Sequence, residues 1–202
     1  MQSKGLSFIL GRFVAQLPPG IINRAGSLLG LICYAIDGPH RRIVMRNLRF
    51  AYPDSTPALI RTTARGVFRN LGITLLEMLR MTCWSPQDLL KNVSVEGERH
   101  ILGALAGGRG AIVISAHIGN WEIALAYAAC FLGLPITAIV KRMRFKPLDR
   151  WLNGLRTRFG TTILYKQQAL TEMMDVMRRK EALAILMDQS KRSEGVPVDF
   201  FG

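Results

Sequence analysis

The feature that most constrains the fold is an alternation of strand-like and helix-like segments in the second half of the chain. Short runs rich in apolar and β-branched residues occur at 111–116, 136–141, 162–165 and 182–187. Segments with helical periodicity separate them, at about 121–132, 147–159 and 168–180. Because strands that alternate with helices form βαβ units, the pattern predicts an α/β fold with a mixed, mostly parallel sheet flanked by helices. The apolar strands predict burial on both faces of the sheet.

The N-terminal residues 1–38 are strongly apolar. Segments 6–17 and 26–36 predict two short helices joined by a turn at Pro18-Pro19-Gly20. Arg12 and Arg24 interrupt the apolar run, which disfavours a single spanning helix. We therefore predict that residues 1–38 form a membrane-associated helical segment lying in the interface, and that residues 39–202 form the α/β domain. A helix pair packed on an ordinary protein core is the alternative.

A long amphipathic helix is predicted between these parts, from residue 57 to about residue 80. Thr56 is suited to cap its N-terminus, and Pro57 to occupy its first position. Apolar residues then recur with helical period, and they predict a buried stripe of Ile60, Ala64, Val67, Leu71, Leu75 and Met78.

The charge balance narrows the classes of partner. Lys and Arg outnumber Asp and Glu by 27 to 14, a formal net charge of +13. Such a field attracts nucleic acid, an anionic membrane surface, phosphorylated substrates or an acidic carrier protein. A nucleic-acid surface needs aromatic residues interleaved with basic ones, whereas Trp121 and Trp151 lie in apolar stripes. We therefore predict no nucleic-acid partner and keep the other three classes.

The cysteines predict neither a disulfide framework nor a zinc site. Cys33, Cys83 and Cys130 lie in apolar contexts, and no two of them form a CxxC spacing. We therefore predict that the three cysteines are buried, reduced thiols and that the protein lies in the cytoplasmic compartment. His117 with Glu122 supplies too few ligands for a metal, so no metal is predicted.

Polar residues with catalytic potential follow the first predicted strand. Ligands of parallel α/β sheets bind beyond the carboxyl ends of the strands, and His117 comes directly after the strand 111–116. Asn120 lies at the start of the next helix and Glu122 in its first turn. A His/Glu pair suits acyl transfer, with the imidazole as general base and the carboxylate holding its tautomer. The alternative is a loop histidine beside a glutamate that favours the helix N-terminus electrostatically.

Two further groups follow other strands. A basic cluster comes after 136–141, and its arginines, Arg142, Arg144 and Arg150, are predicted to bind phosphate. Asp188 and Gln189 follow 182–187 and are predicted to position substrate or the catalytic loop. The alternatives are a solvated charge run for the arginines and a turn for Asp188-Gln189.

Four blocks of the sequence carry a family resemblance. The stretch SAHIGNWE at 115–122 resembles the H-x4-D/E motif of glycerolipid acyltransferases, in the form typical of bacterial lipid A biosynthesis acyltransferases. Residues 46–54 resemble the family's N-L-x-x-A-F-P segment, and residues 141–160 its basic segment after the second strand. Residues 187–202, with Asp188-Gln189 and a terminal F-F-G, resemble its D-Q…F-F-G block.

The resemblance implies an enzyme that moves a fatty acyl chain from an acyl carrier protein thioester to a hydroxyl of a phosphorylated lipid A precursor. It implies His117 as general base and Glu122 as its orienting partner, with no cofactor because the thioester is a substrate. The implied location is the cytoplasmic face of the cell inner membrane, with peripheral or monotopic attachment. Family members continue past F-F-G, so the C-terminal part of the domain is expected to be missing.

Two alternatives stay open within this resemblance. One is a lysophospholipid or glycolipid acyltransferase that uses acyl-CoA, with the same His117 and Glu122 but another acceptor. The other is an inactive, truncated membrane-bound homologue.

Overall fold

The computed structural model describes residues 6–133, 135–166, 169–189 and 199. The chain packs as two compact units: the first 94 residues with Glu122–Ala124, and Val95–Trp121 with the residues from Leu125 onward. This packing does not test the boundary predicted after residue 38, which stays a prediction.

The first unit is helical. Its helices are α1 (Leu6–Ala15), α2 (Pro19–Ile36), α3 (Gly38–Ala51), α4 (Pro57–Met81) and α5 (Pro86–Asn92). Proline lies in the first turn of α2, α4 and α5, where its fixed φ suits the helix and its missing N–H removes no bond. The hydroxyl of Thr56 accepts a hydrogen bond from the backbone N–H of Leu59 at 3.2 Å, as predicted for the start of α4.

Helix α2 begins seven residues before the predicted start at residue 26, directly at Pro19. In the described part of the chain it is the one helix long and apolar enough to cross a membrane, with a mean hydropathy of 1.3. Its exposed apolar side chains include Leu28, Ile32 and Ile36, which recur every four residues along one stripe. Length and composition thus permit a span, although a packed core helix meets the same test.

Helices α2 and α4 approach each other through glycines. A side chain at Gly30 would overlap the backbone carbonyl of Phe68, and one at Gly72 would overlap the carbonyl of Gly26. The two backbones are therefore in direct contact, an approach that small residues allow.

This approach corrects the stripe predicted for α4. Ile60, Ala64 and Met78 are buried as predicted, but Val67, Leu71 and Leu75 are 43%, 44% and 38% exposed. The buried positions in that region are Phe68, Gly72 and Thr74. The prediction was wrong there because Gly72, which adds nothing to an apolar pattern, determines which face of α4 meets α2.

The second unit contains the sheet. Its elements are α6 (Glu98–Ala106), β1 (Ala111–Ser115), α7 (Trp121–Leu132), β2 (Ile136–Val140), α8 (Lys146–Arg158), β3 (Thr161–Tyr165), α9 (Ala169–Arg178) and β4 (Ala182–Leu186). The strands are ordered β1-β4-β2-β3, and every neighbouring pair is parallel. The predicted α/β fold with a parallel sheet is confirmed, with each predicted strand within one residue of its observed bounds.

The sheet is covered unequally. On one face, Ile136 and Ala182 pack against apolar side chains of α6 and α7, including Ile101 and Leu125. On the other face, α9 packs on β3 and β4. The prediction of burial on both faces fails at β1, where Ile112 and Ile114 are 54% and 67% exposed. β1 has a neighbouring strand on one side only in the described sheet, where it forms an edge.

Candidate active site

The sheet register brings three of the predicted site residues to the same level. Ser115 pairs with Leu186 in β1 and β4, and Val140 pairs with Tyr165 in β2 and β3. Ile136 and Ala111 are both in register with Ala182, so the four strands are aligned with one another. The last residues of the strands therefore form one row at the carboxyl edge of the sheet. His117, Asp188 and Arg142 each lie two residues beyond that row, so all three emerge from the same edge of the sheet.

His117 and Asp188 are in direct contact. The ring Nδ1 of His117 lies 2.7 Å from Oδ1 of Asp188, and the backbone N–H of His117 donates to Oδ2 at 2.9 Å. The pairing of β1 with β4 continues past the strands, since the backbone N–H of Met187 donates to the carbonyl of Ser115 at 3.0 Å. The two side chains are 30% and 37% exposed, so the pair is held at the surface of the sheet edge.

The pKa of Asp188 is lowered from the ordinary aspartate value. Desolvation is the largest single influence and acts to raise it, but the hydrogen bonds from the His117 ring and backbone together outweigh desolvation. The carboxylate is therefore ionised at neutral pH. An ionised acceptor at Nδ1 selects the tautomer with its proton on Nδ1, which leaves the lone pair of Nε2 to accept a proton.

Trp121 supplies a second contact to the imidazole. The rings of His117 and Trp121 meet edge to face, with centroids 4.8 Å apart. The loop between them turns at Gly119, whose φ of 57° is in the left-handed region that favours glycine. Asp188 and Trp121 thus restrict the orientation of the imidazole from two directions.

Glu122 lies in the first turn of α7, as predicted, and only 3% of its surface is exposed. A carboxylate buried to this extent needs compensating hydrogen bonds or charges. The described contacts of His117 place Asp188 at Nδ1, the position at which an orienting carboxylate acts. The predicted role of Glu122 as partner of His117 stays a prediction, as does substrate binding by the half-buried Asn120.

Arg142 is held at the same edge by a network around α8. Its guanidinium carbon lies 4.4 Å from the ring centroid of Tyr165, the last residue of β3. Asp149, in the first turn of α8, accepts a hydrogen bond from the backbone N–H of Met143 at 2.9 Å. Asn153 donates to the hydroxyl of Tyr165 at 3.0 Å and to Asp149 at 3.3 Å. The network therefore joins the loop after β2, helix α8 and the end of β3.

The other predicted ligand-binding residues are exposed. Arg144, Arg150 and Gln189 all present their side chains to solvent, and substrate binding by them stays a prediction. Of the D-Q…F-F-G block, residues 190–198 and 200–202 lie outside the described residues. Within the described residues, no three His, Cys, Asp or Glu side chains are grouped to hold a metal ion, and the predictions of no metal and no cofactor stay predictions.

The site contains residues that sequence reasoning missed. Tyr165, Asp149 and Asn153 received no role, although two signals were available. Tyr165 ends a predicted strand at the edge where ligands bind, and Asp149 and Asn153 are four residues apart, so they share one face of a helix.

The chain is similar to one protein family and to individual proteins of known activity. The family model described as "Bacterial lipid A biosynthesis acyltransferase" matches residues 4–202. The chain is 25% identical to the lipid A biosynthesis lauroyltransferase of Escherichia coli (strain K12) over 171 residues, which are 84% of this chain and 55% of that protein. It is 27% identical to the phosphatidylinositol mannoside acyltransferase of Mycolicibacterium smegmatis over 130 residues, 62% of this chain and 42% of that protein.

The chain spans about half the length of the curated relatives it matches. All the reported matches are to acyltransferases, which confirms the family and the enzyme class inferred from the four sequence blocks.

Proposed function

Because the chain belongs to the bacterial lipid A biosynthesis acyltransferase family, we propose that it transfers a fatty acyl chain from a thioester donor to a hydroxyl of a lipid A precursor. The observation that carries this proposal is the His117–Asp188 pair at the carboxyl edge of the parallel sheet. An ionised carboxylate on Nδ1, with Nε2 directed away from it, is the arrangement that general-base catalysis by histidine requires.

The proposed reaction uses direct attack by the acceptor. Nε2 of His117 takes the proton of the lipid hydroxyl, and the oxygen forms a bond to the thioester carbonyl carbon. The tetrahedral intermediate then breaks the carbon–sulfur bond, and the thiolate that leaves takes the proton from the imidazolium. Asp188 stabilises the imidazolium between these two steps, since its carboxylate faces the Nδ1 proton. No serine or cysteine nucleophile is needed.

Glu122 is proposed as a second orienting carboxylate, as the H-x4-E spacing implies. Its burial supports a fixed position for the carboxylate at the start of α7. Because a buried Glu122→Ala change leaves a cavity, Glu122→Gln is the better test, since it keeps the shape and removes only the charge.

The proposed donor is an acyl carrier protein. Carrier proteins of this kind are acidic, and the net charge of +13 favours their approach. The proposed location is the cytoplasmic face of the inner membrane, with peripheral or monotopic attachment, supported by the exposed apolar stripe of α2. Arg142, Arg144 and Arg150 are proposed to bind phosphate groups of the substrates.

A second candidate is transfer to another phosphorylated glycolipid, with acyl-CoA as the donor. It is favoured by the similarity to a phosphatidylinositol mannoside acyltransferase, a protein named for a different acceptor. The chemistry at His117 would be the same, so only the substrates separate the two candidates.

The test is a matrix of donors and acceptors with the purified chain in detergent. Acyl carrier protein and CoA thioesters are each combined with a lipid A precursor, a phosphatidylinositol mannoside and a lysophospholipid. The proposal predicts the fastest turnover with the carrier protein and the lipid A precursor, and loss of turnover in His117→Ala. Equal rates for wild type and His117→Ala, or turnover in neither, would count against catalysis by this chain and favour an inactive homologue.

A further inference from the structure

We propose that Tyr165 is a positioning residue that holds the guanidinium of Arg142 as the phosphate-binding group of this site. Asp149 and Asn153 fix Tyr165 and the loop that carries Arg142. The inference rests on the proposed function and deepens it by naming which arginine meets substrate phosphate and what orients it. The ligand chemistry is a phosphate monoester or diester, which both the acceptor lipid and the phosphopantetheine arm of the donor can supply.

The guanidinium of Arg142 and the ring of Tyr165 are in direct contact. The guanidinium of Arg142 lies over the face of the Tyr165 ring, with its central carbon 4.4 Å from the centroid. A cation–π contact of this kind engages one side of the guanidinium. The guanidinium carries five N–H donors in a planar fork, which can bind phosphate in a bidentate manner. Among the described residues, no carboxylate forms an ion pair with Arg142.

Tyr165 itself is fixed by hydrogen bonds to its hydroxyl. Its hydroxyl accepts a hydrogen bond from Asn153 at 3.0 Å and donates to Asp149 at 3.5 Å. Arg156 in turn donates to the side-chain oxygen of Asn153 at 3.1 Å, which orients the amide. An exposed arginine on a loop samples many rotamers, so a fixed aromatic platform lowers the entropy lost when it binds a ligand.

The backbone next to Arg142 is held in place as well. Asp149 accepts the N–H of Met143, the next residue, at 2.9 Å. One carboxylate therefore anchors both the loop that carries the guanidinium and the hydroxyl of the ring on which it stacks. The charge of Asp149 is used within the network and does not face Arg142 as an ion-pair partner in the described contacts.

The pair of Arg142 and Tyr165 lies at a distance from the reacting groups. His117 follows β1, whereas Tyr165 ends β3, three strands away in the order β1-β4-β2-β3. With strands about 4.8 Å apart, Tyr165 lies roughly 14 Å from His117 along the sheet edge, and Arg142, which follows β2, lies roughly 10 Å from it. A phosphate bound there is remote from the bond that forms, so the pair acts on substrate affinity and not on the chemical step.

The test is a double-mutant cycle on the steady-state constants of the purified chain. We expect Arg142→Ala to raise the KM of one substrate roughly 10- to 100-fold with little change in kcat, through the loss of charge-assisted hydrogen bonds. Tyr165→Leu should raise the same KM about two- to fivefold. Tyr165→Phe keeps the aromatic face but loses the hydroxyl held by Asn153 and Asp149, so it should raise that KM less than Tyr165→Leu does. In the Arg142→Ala background, Tyr165→Leu should have no further effect.

The arms of the experiment identify the source of the phosphate. A rise confined to the KM of the carrier-protein donor assigns the site to phosphopantetheine, and one confined to the acceptor assigns it to the lipid phosphate. Arg178→Ala, which removes one exposed charge from α9 in the same unit, is the matched control and should leave both constants unchanged. A Tyr165→Leu effect that is equal with and without Arg142, or that falls on kcat, would overturn the inference.

A binding measurement separates failure of this inference from failure of the proposed function. If the wild type transfers no acyl group from any donor, the proposed function fails. Calorimetric titration still tests the pair of Arg142 and Tyr165 in that case. Its two probes are free phosphopantetheine and vesicles that carry the lipid A precursor. Weaker binding of one probe in both Arg142→Ala and Tyr165→Leu, with a smaller loss in Tyr165→Phe, supports the inference. Wild-type binding in Tyr165→Leu, or no binding of either probe by the wild type, refutes it.

Discussion

At the scale of single residues, the site depends on which groups meet the two nitrogens of one imidazole. Asp188 occupies Nδ1, the rings of Trp121 and His117 meet edge to face, and Nε2 is left for the substrate in the proposed reaction. Aspartate at this position was predicted only to help position substrate or the catalytic loop. Its contact with His117 supports the second of those two roles.

The contact between Asp188 and His117 predicts that a small change at residue 188 has a large effect on kcat. Asp188→Asn keeps the size of the side chain but removes the charge that stabilises the imidazolium and its tautomer. We expect kcat to fall roughly 100- to 10,000-fold with KM almost unchanged. Asp175→Asn, an exposed carboxylate on α9, is the control. Wild-type turnover in Asp188→Asn would exclude Asp188 from the mechanism.

The lowered pKa of Asp188 predicts a pH dependence of stability. Because folding favours the ionised form, the contribution is fully present above the pKa of an unfolded aspartate, about 3.9, and is lost as pH falls through the lower folded value. The difference in unfolding free energy between wild type and Asp188→Asn should persist down to about pH 5 and shrink below about pH 4. Urea unfolding at several pH values measures it, and a difference that grows in acid would show the wrong sign.

At the scale of elements, the crossing of α2 and α4 illustrates how little an apolar count says about helix contacts. The closest positions of the two helices are glycines, which carry no hydrophobic signal. These glycines matter because they lack a side chain, and only glycine lets the two backbones touch.

A matched pair of substitutions within α4 tests this crossing. Gly72→Ala places a methyl group into the backbone of α2 and should destabilise the protein by about 1–3 kcal/mol or more. Gly66→Ala lies six residues earlier on an open surface and should stabilise it by about 0.5–1 kcal/mol, since alanine restricts the unfolded chain more. Thermal unfolding of both variants measures the contrast, and equal shifts would mean that the helices do not meet at Gly72.

At the scale of the whole molecule, basic charge and exposed apolar helices combine. The net charge is +13, and Leu28, Ile32 and Ile36 leave an apolar stripe uncovered on α2. In the proposed membrane attachment, hydrophobic insertion and attraction to anionic headgroups act together.

Vesicle sedimentation tests whether α2 is the membrane-binding element. We expect Leu28→Asp with Ile32→Asp to lower partitioning onto anionic vesicles by roughly tenfold or more, because two apolar side chains leave the interface. Raising the salt concentration should weaken binding of the wild type by screening. Leu102→Asp, a half-exposed leucine of α6, is the control, and a larger loss in that variant would assign binding to another surface.

The sequence by itself determined the four strands, the helices between them, helix α4 and the edge of the sheet at which the chemistry lies. Strand and helix periods, the Thr56-Pro57 start of α4 and the position of His117 after β1 are local properties, and each could be derived from neighbouring residues. Even the family could be inferred, because its four blocks are short, contiguous motifs.

Tertiary structure alone decided which of these residues meet. Strand β4 is the last of the described strands along the chain but inserts between β1 and β2, which brings Asp188 to His117 across 71 residues. Glycine contacts selected the buried face of α4, and the packing of α8 on β3 placed Tyr165 beneath Arg142. Strand order and helix docking depend on how distant surfaces fit together, and local periodicity carries no information about that fit.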